Sequence, residues 1–161
     1  MRTCVIIFCF FQIAAVGYGQ HIEVDINSKE FYRLFDGFLL KDDSLVSRDA
    51  HINNIRRLSD HEKLKKMGLQ DFSKPYMFLS TSASPIREFI YEKADINPSF
   101  QDINLPIILN KEVITYYKYG LLDRIDTSTI SAVRYLKPDG SFLAMYPDMP
   151  LGAIAVATTG R

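Results

Sequence analysis

The sequence predicts an α+β fold, with a helical N-terminal half followed by a small sheet carrying short helices. Three observations predict it. Apolar residues at helical spacing behind capping signals dominate residues 28–68, and short β-prone runs between turn residues dominate residues 106–159. A connector composition, Asn97-Pro98-Ser99 followed by Gln101-Asp102, lies between the two. With 47% apolar residues, 24% charged residues and no net charge, the composition is that of a globular chain.

His21 to Ile26 alternates apolar and polar residues, the pattern of a half-buried strand. Asn27-Ser28-Lys29-Glu30 then reads as a capping-box start, with Phe31, Leu34, Phe35, Phe38 and Leu39 at helical spacing behind it, which predicts a helix over 28–40. Beyond the Asp42-Asp43-Ser44 break, Ile52, Ile55 and Leu58 recur every third residue and predict a second helix. Ser59-Asp60-His61-Glu62 is another capping box, opening a short helix closed by Gly68 with Leu69 set for a hydrophobic contact. Tyr76-Met77-Phe78-Leu79-Ser80 predicts a buried strand, and Pro85 opens a helix to Lys93 with Ile86, Phe89 and Ile90 as its apolar stripe. In the last third, Pro106 to Leu109 and Glu112 to Thr115 flank Asn110-Lys111 as a hairpin. Leu121 to Asp126 is a helical turn or irregular connector, and Asp126 can cap another turn. Ile130 to Leu136 is a strand, Lys137-Pro138-Asp139-Gly140 a turn, Ser141 to Met145 one helical turn, and Gly152 to Thr159 a final buried strand. Ile130, Val133, Leu136, Ile154 and Val156 are expected to be buried together on adjacent strands.

The N-terminus carries its own signal. Arg2 precedes an apolar run from Cys4 to Val16, followed by small residues two apart at Gly17 and Gly19, the three parts of a secretory signal peptide over 1–19. The run covers roughly a dozen residues where a membrane-spanning helix needs about 20, so no stable span is expected after cleavage. Cys4 and Cys9 are the only cysteines and both lie inside this signal. The mature chain would therefore have no disulfide, thiol nucleophile or cysteine-bound metal. The balanced charge excludes a nucleic-acid partner, whose binding rests on phosphate neutralisation.

Within residues 106–161 the ordered segments resemble the plug domain of TonB-dependent outer-membrane receptors, in the version common in Bacteroidetes nutrient importers. The resemblance rests on Pro106-Ile107-Ile108-Leu109-Asn110-Lys111, then Ile125-Asp126 through Ile130-Ser131-Ala132-Val133-Arg134-Tyr135-Leu136-Lys137, then Ala144-Met145-Tyr146, then Gly152 to Thr159. It implies a plug-like sheet, exported to the periplasm or associated with the outer membrane, acting as an interaction module. The implied partner is an envelope protein such as an outer-membrane receptor or a TonB-type system. The family's Tyr-Gly and Asn-Gly turn elements are replaced here by Tyr146-Pro147-Asp148-Met149-Pro150-Leu151, which marks that loop as the candidate binding segment. No series of membrane strands follows the plug-like segments up to Arg161, so transport through the chain's own pore is not expected. Residues 20–105 have no counterpart in the resemblance.

Motifs for chemistry are sparse. His21, His51 and His61 are far apart in sequence, Asp60-His61-Glu62 points in different directions on a helix, and Asp42-Asp43 lacks calcium-loop spacing. No nucleophile elbow, zinc-helix motif, phosphate loop or dinucleotide fingerprint occurs. The expectation is a binding module that is not an enzyme and takes no cofactor. The alternative is a small periplasmic hydrolase or ligand carrier, with a pocket between the helical middle and the C-terminal sheet.

Overall fold

The computed structural model describes residues 25–46, 50–96, 98–100 and 102–159. The signal-like N-terminus and residues 21–24 of the expected first strand lie outside the described residues. Asp25 and Ile26 belong to a turn and not to a strand, since Ser28 N donates to Asp25 O at 3.2 Å and Asn27 N to the Asp25 carboxylate at 2.9 Å.

The expected helical N-terminal half does not form. Its place is taken by a four-stranded sheet of β1 (Tyr32–Phe35), β2 (Phe38–Leu39), β3 (Ile52–Leu58) and β4 (Tyr76–Thr81), in the order β2-β1-β4-β3. The expected helix over 28–40 is the β1–β2 hairpin. Asp36-Gly37 sits at φ 47° and 83°, the two left-handed residues of a tight hairpin turn, which no helix can accommodate. Its apolar residues divide between two sheet faces: Leu34 and Leu39 point into one cluster, Phe31 and Phe35 into another. The expected helix through Ile52, Ile55 and Leu58 is β3. A register shift between Ile52 and Asn54 makes three-residue spacing at its start compatible with an extended strand.

Two helices form where the caps predict them. The Asp60 carboxylate accepts the amides of Glu62 and Lys63 at 3.0 and 3.2 Å to open α1 (His61–Lys66). Gly68 closes it at φ 90°, with Leu69 N returning to Leu64 O at 3.1 Å and Leu69 buried. Pro85 opens α2 (Pro85–Lys93). Its buried residues are Ile86, Arg87 and Ile90.

A second four-stranded sheet follows, from β5 (Ile107–Leu109), β6 (Glu112–Ile114), β7 (Ile130–Leu136) and β8 (Ala153–Thr158), with short helices α3 (Tyr119–Leu122) and α4 (Gly140–Met145). Its order is β6-β5-β8-β7, and it repeats the first sheet strand for strand. In each, the hairpin's first strand pairs parallel with the last strand, which pairs antiparallel with the third. The registers coincide: Leu34 and Arg56 flank Phe78 as Ile108 and Arg134 flank Ala155. Each third strand slips register one residue after its start, at Ile52/Asn54 and at Ile130/Ala132. The hairpin turns match as well. Asp36 N donates to Leu79 O and Asn110 N to Val156 O, both at 2.9 Å. The side-chain oxygen of Asp36 accepts Thr81 N at 2.8 Å, and that of Asn110 accepts Thr158 N at 3.0 Å.

The sheets meet through unlike faces. One apolar cluster joins Leu34, Tyr76 and Phe78 of the first sheet to Ile107, Ile114, Ile154 and Val156 of the second, with Leu64, Ile86 and Ile90 of the helices. Phe100, Ile103 and Leu105 of the connector are buried in the same cluster. The opposite face of the first sheet, with Met77 and Leu79, is covered by Val46, Ile26 and Phe31. Ile154 and Val156 are buried in the central cluster as expected, and Ile130 and Val133 pack against it half-buried, but Leu136 packs with Ala153 and Phe142 on the other face. The slip at Ile130/Ala132 lets Ile130 share a face with Val133, while Leu136, three residues beyond Val133 in unbroken register, falls on the opposite face with Ala132 and Arg134, paired with Ala153, Ala157 and Ala155.

Gly152 immediately precedes β8 at φ 81°, and a methyl group on it would run into the Leu136 carbonyl and the Tyr135 ring. Left-handed backbone strain alone is about 1–2 kcal/mol for a residue with a side chain. Gly152→Ala is therefore expected to lower the unfolding free energy by about 2 kcal/mol or more in urea titration. A loss below about 0.5 kcal/mol would mean that the strand start tolerates a side chain.

Candidate functional site

The six residues from Tyr146 to Leu151 form the tight connection between α4 and β8. Gly152 N and Met149 N close successive turns on Met149 O and Tyr146 O, and the Asp148 carbonyl accepts Leu39 N of β2 at 2.7 Å. The segment is thereby hooked to the edge of the first sheet. Met149 and Leu151 are buried, so their role is packing. Pro147 and Asp148 are exposed, while Tyr146 and Pro150 are half-buried. Asp148 and Tyr146 line separate grooves.

The first groove, about 440 Å³, runs between β1–β2 and the segment after β6, with Phe35, Phe38, Leu39, Val46 and Thr115 among its walls. Leu45 and Tyr117 stand on it at 80% and 87% exposure, the most exposed large apolar side chains among the described residues. Both are held by what lies beneath them. Arg33 is 1% exposed and spends its guanidinium on backbone carbonyls, donating to Lys41 O and Ser44 O at 2.9 Å. Asn27 accepts from Arg33 at 3.3 Å and from Val46 N at 2.9 Å. The 41–46 loop that carries Leu45 is therefore tied to β1 from below. Next to Tyr117, Tyr116 packs edge-on against Phe35 at 5.4 Å and against Tyr119 at 5.8 Å.

Tyr119 leads to a polar cluster that sequence reasoning did not single out. Asp36 Oδ1 accepts Thr81 N at 2.8 Å and Asn104 Nδ2 at 2.7 Å, while Oδ2 accepts Thr81 Oγ1 at 2.7 Å and Tyr119 OH at 2.9 Å. The Arg87 guanidinium lies 3.8 Å from the carboxylate and 4.0 Å over the Tyr119 ring, and donates to Thr81 Oγ1, Ser82 O and Tyr91 OH. Burial pushes the Tyr119 phenol far up, and the Asp36 charge beside it pushes the same way, so the hydroxyl stays a donor. Burial works against the charge of Arg87, but Tyr91, Tyr119 and Asp36 more than offset it and its pKa lies above the ordinary arginine value. Asp36 and Arg87 are 1% and 2% exposed, and neither is among the residues lining either groove. The cluster draws on the β1 turn, β4, α2, the connector and α3, and it ties the first sheet to α3, the helix that lies between β6 and β7 in the chain. The Asp36-Gly37 dipeptide, a hairpin signal, was the one clue to it in the sequence.

The second groove, about 940 Å³, lies over the outer face of the second sheet. Ala132, Ala155 and Ala157 line its floor, Ile108 and Leu136 its flanks, and Phe142, Met145 and Tyr146 its α4 wall.

Of the other sequence candidates, His51 and His61 are exposed, and His61 stacks on Phe72 at 5.2 Å. Asp42 pairs with Lys74 at 3.3 Å on the surface. Among the described residues no three His, Cys, Asp or Glu side chains stand together as a metal site, and no helix is long and apolar enough to cross a membrane. No protein-family profile, no curated protein and no solved structure matches the chain.

Proposed function

We propose that the chain is an exported envelope module that binds a protein partner and performs no reaction of its own. The observation that carries this reading is the pair Leu45 and Tyr117, at 80% and 87% exposure on an apolar groove. Both sit on backbone anchored by buried contacts, so apolar surface is presented without the cost of ordering a loop. What supports the likeness to TonB-receptor plugs is that all the segments it rests on lie in one sheet and its connections. They comprise β5 with its Asn110 turn, β7, α4, and β8 preceded by Gly152. An outer-membrane receptor or a TonB-type component is the partner class that likeness suggests. The N-terminal signal-like segment supports passage into the periplasm.

Expression of the full chain in an envelope-bearing bacterium tests both parts of the reading. The envelope fraction should hold a form shorter by about 2 kDa, the mass of roughly 19 residues. Tagged at its C-terminus and crosslinked in place, that form should retain a specific envelope protein. Leu45→Glu/Tyr117→Glu should lose that protein while keeping its thermal transition, because both residues are exposed. Unprocessed protein in the cytosol would refute export, and undiminished capture by the double variant would refute this groove as the contact.

A further inference from the structure

We propose that the outer face of the second sheet is a separate recognition surface for an extended acidic segment of a protein partner, with one aromatic side chain of that segment seated over Ala155. The internal repeat supplies the argument. Phe78 in the first sheet and Ala155 in the second occupy the same register, each flanked by a residue of the hairpin's first strand and by an arginine. In the first sheet the Phe78 ring fills that position and is 1% exposed inside the central cluster. In the second sheet a methyl group stands there, and a groove of about 940 Å³ opens above it. The space is closed on one side by Phe142, Met145 and Tyr146, with Met145 68% exposed. A ring from outside would restore the packing that the first sheet provides for itself.

Charge identifies the rest of the occupant. Lys111, Arg134 and Lys137 all line the groove, and among the described residues none of their side chains is in an ion pair or hydrogen bond with the protein. The one carboxylate there, Asp139, is engaged as the cap of α4, accepting Phe142 N at 2.8 Å and Ser141 Oγ at 2.7 Å. Lys111 follows β5 at the Ala157 end, Arg134 lies opposite Ala155, and Lys137 follows β7 at the Ala153 end. Those ends of β8 are about 13 Å apart at roughly 3.3 Å per residue. One small anion cannot meet cations spread over that length, whereas carboxylates along an extended peptide can. This surface is distinct from the Leu45–Tyr117 groove and does not depend on export.

A fluorescein-labelled heptapeptide alternating Asp with Ser around a central Phe, titrated with the full chain and followed by anisotropy, tests the assignment. Saturable binding is expected, weakened at least about tenfold by Arg134→Glu and by replacing the peptide's Phe with Ala. Ala155→Leu should block the seat. A peptide with Lys in place of Asp should bind Arg134→Glu better than the unaltered chain. Arg134 is exposed on an edge strand, and Lys111→Glu/Lys137→Glu supplies a second surface variant that leaves the β7 strand untouched. Binding indifferent to the Phe, or unchanged by both charge variants, would overturn the proposal. So would displacement of the peptide by phenylpropionate at equal concentration, which would mark a pocket for small anions.

Discussion

Asp36→Ala is expected to destabilise the protein by about 3–5 kcal/mol, the cost of breaking a buried ion pair from one side. The Arg87 guanidinium would stay buried without its carboxylate, and Thr81 N, Asn104 Nδ2 and Tyr119 OH would each lose an acceptor. Asp36→Ala/Arg87→Met should be less destabilised than the sum of the single changes, since removing both charges leaves no orphan ion. Urea denaturation of the three variants measures this. A loss below about 1 kcal/mol for Asp36→Ala would show that water reaches the site and that it does not hold α3 to the first sheet.

Ile154→Ala should cost about 2–5 kcal/mol, the range for emptying a filled aliphatic site. Ile154 is 0% exposed and lies in the cluster that also takes Tyr76 and Phe78 from the first sheet. The loss should therefore appear as one shifted transition reporting on both sheets. Ring environments near Tyr32 and Tyr76 and those near Tyr135 should change together in near-ultraviolet circular dichroism. Two separated transitions would show that residues 20–105 and 106–161 unfold independently.

Local signals were legible where they depend on one cap or one turn. Asp60 at the start of α1, Gly68 at its end, Pro85 opening α2 and the Asn110-Lys111 hairpin all act through backbone geometry that neighbouring residues decide. The fold class was not legible by periodicity, because a tight hairpin and a slipped strand both mimic helical spacing. Phe31, Leu34, Phe35, Phe38 and Leu39 are near neighbours on a helical wheel, yet Asp36-Gly37 turns the chain between them. The repeat is visible in the sequence: Ile52-Asn53-Asn54-Ile55-Arg56-Arg57-Leu58 against Ile130-Ser131-Ala132-Val133-Arg134-Tyr135-Leu136. Reading that pair as one kind of strand would have replaced the second helix and carried the hairpin back to Asp36. In the candidate site, the 146–151 loop was singled out by its departure from the plug-like pattern, whereas Leu45, Tyr117, Arg134 and the Asp36–Arg87 joint were not singled out. Each depends on residues far apart in the chain, and no local pattern encodes that.

The two sheets are related by displacement and not by a two-fold axis, since the Phe78 face of one shares its cluster with the Ile154 face of the other. Such a stack has a head and a tail. A head-to-tail contact between molecules closes only where its rotation completes a ring, and otherwise it adds units without limit. The tail is the alanine floor. At the head, Met77 and Leu79 lie under Val46, Ile26 and Phe31, in a cover fastened by Arg33 to three carbonyls of the 41–46 loop. A chain that lost this fastening would present open apolar surface at both ends of the stack, as an open head-to-tail assembly requires.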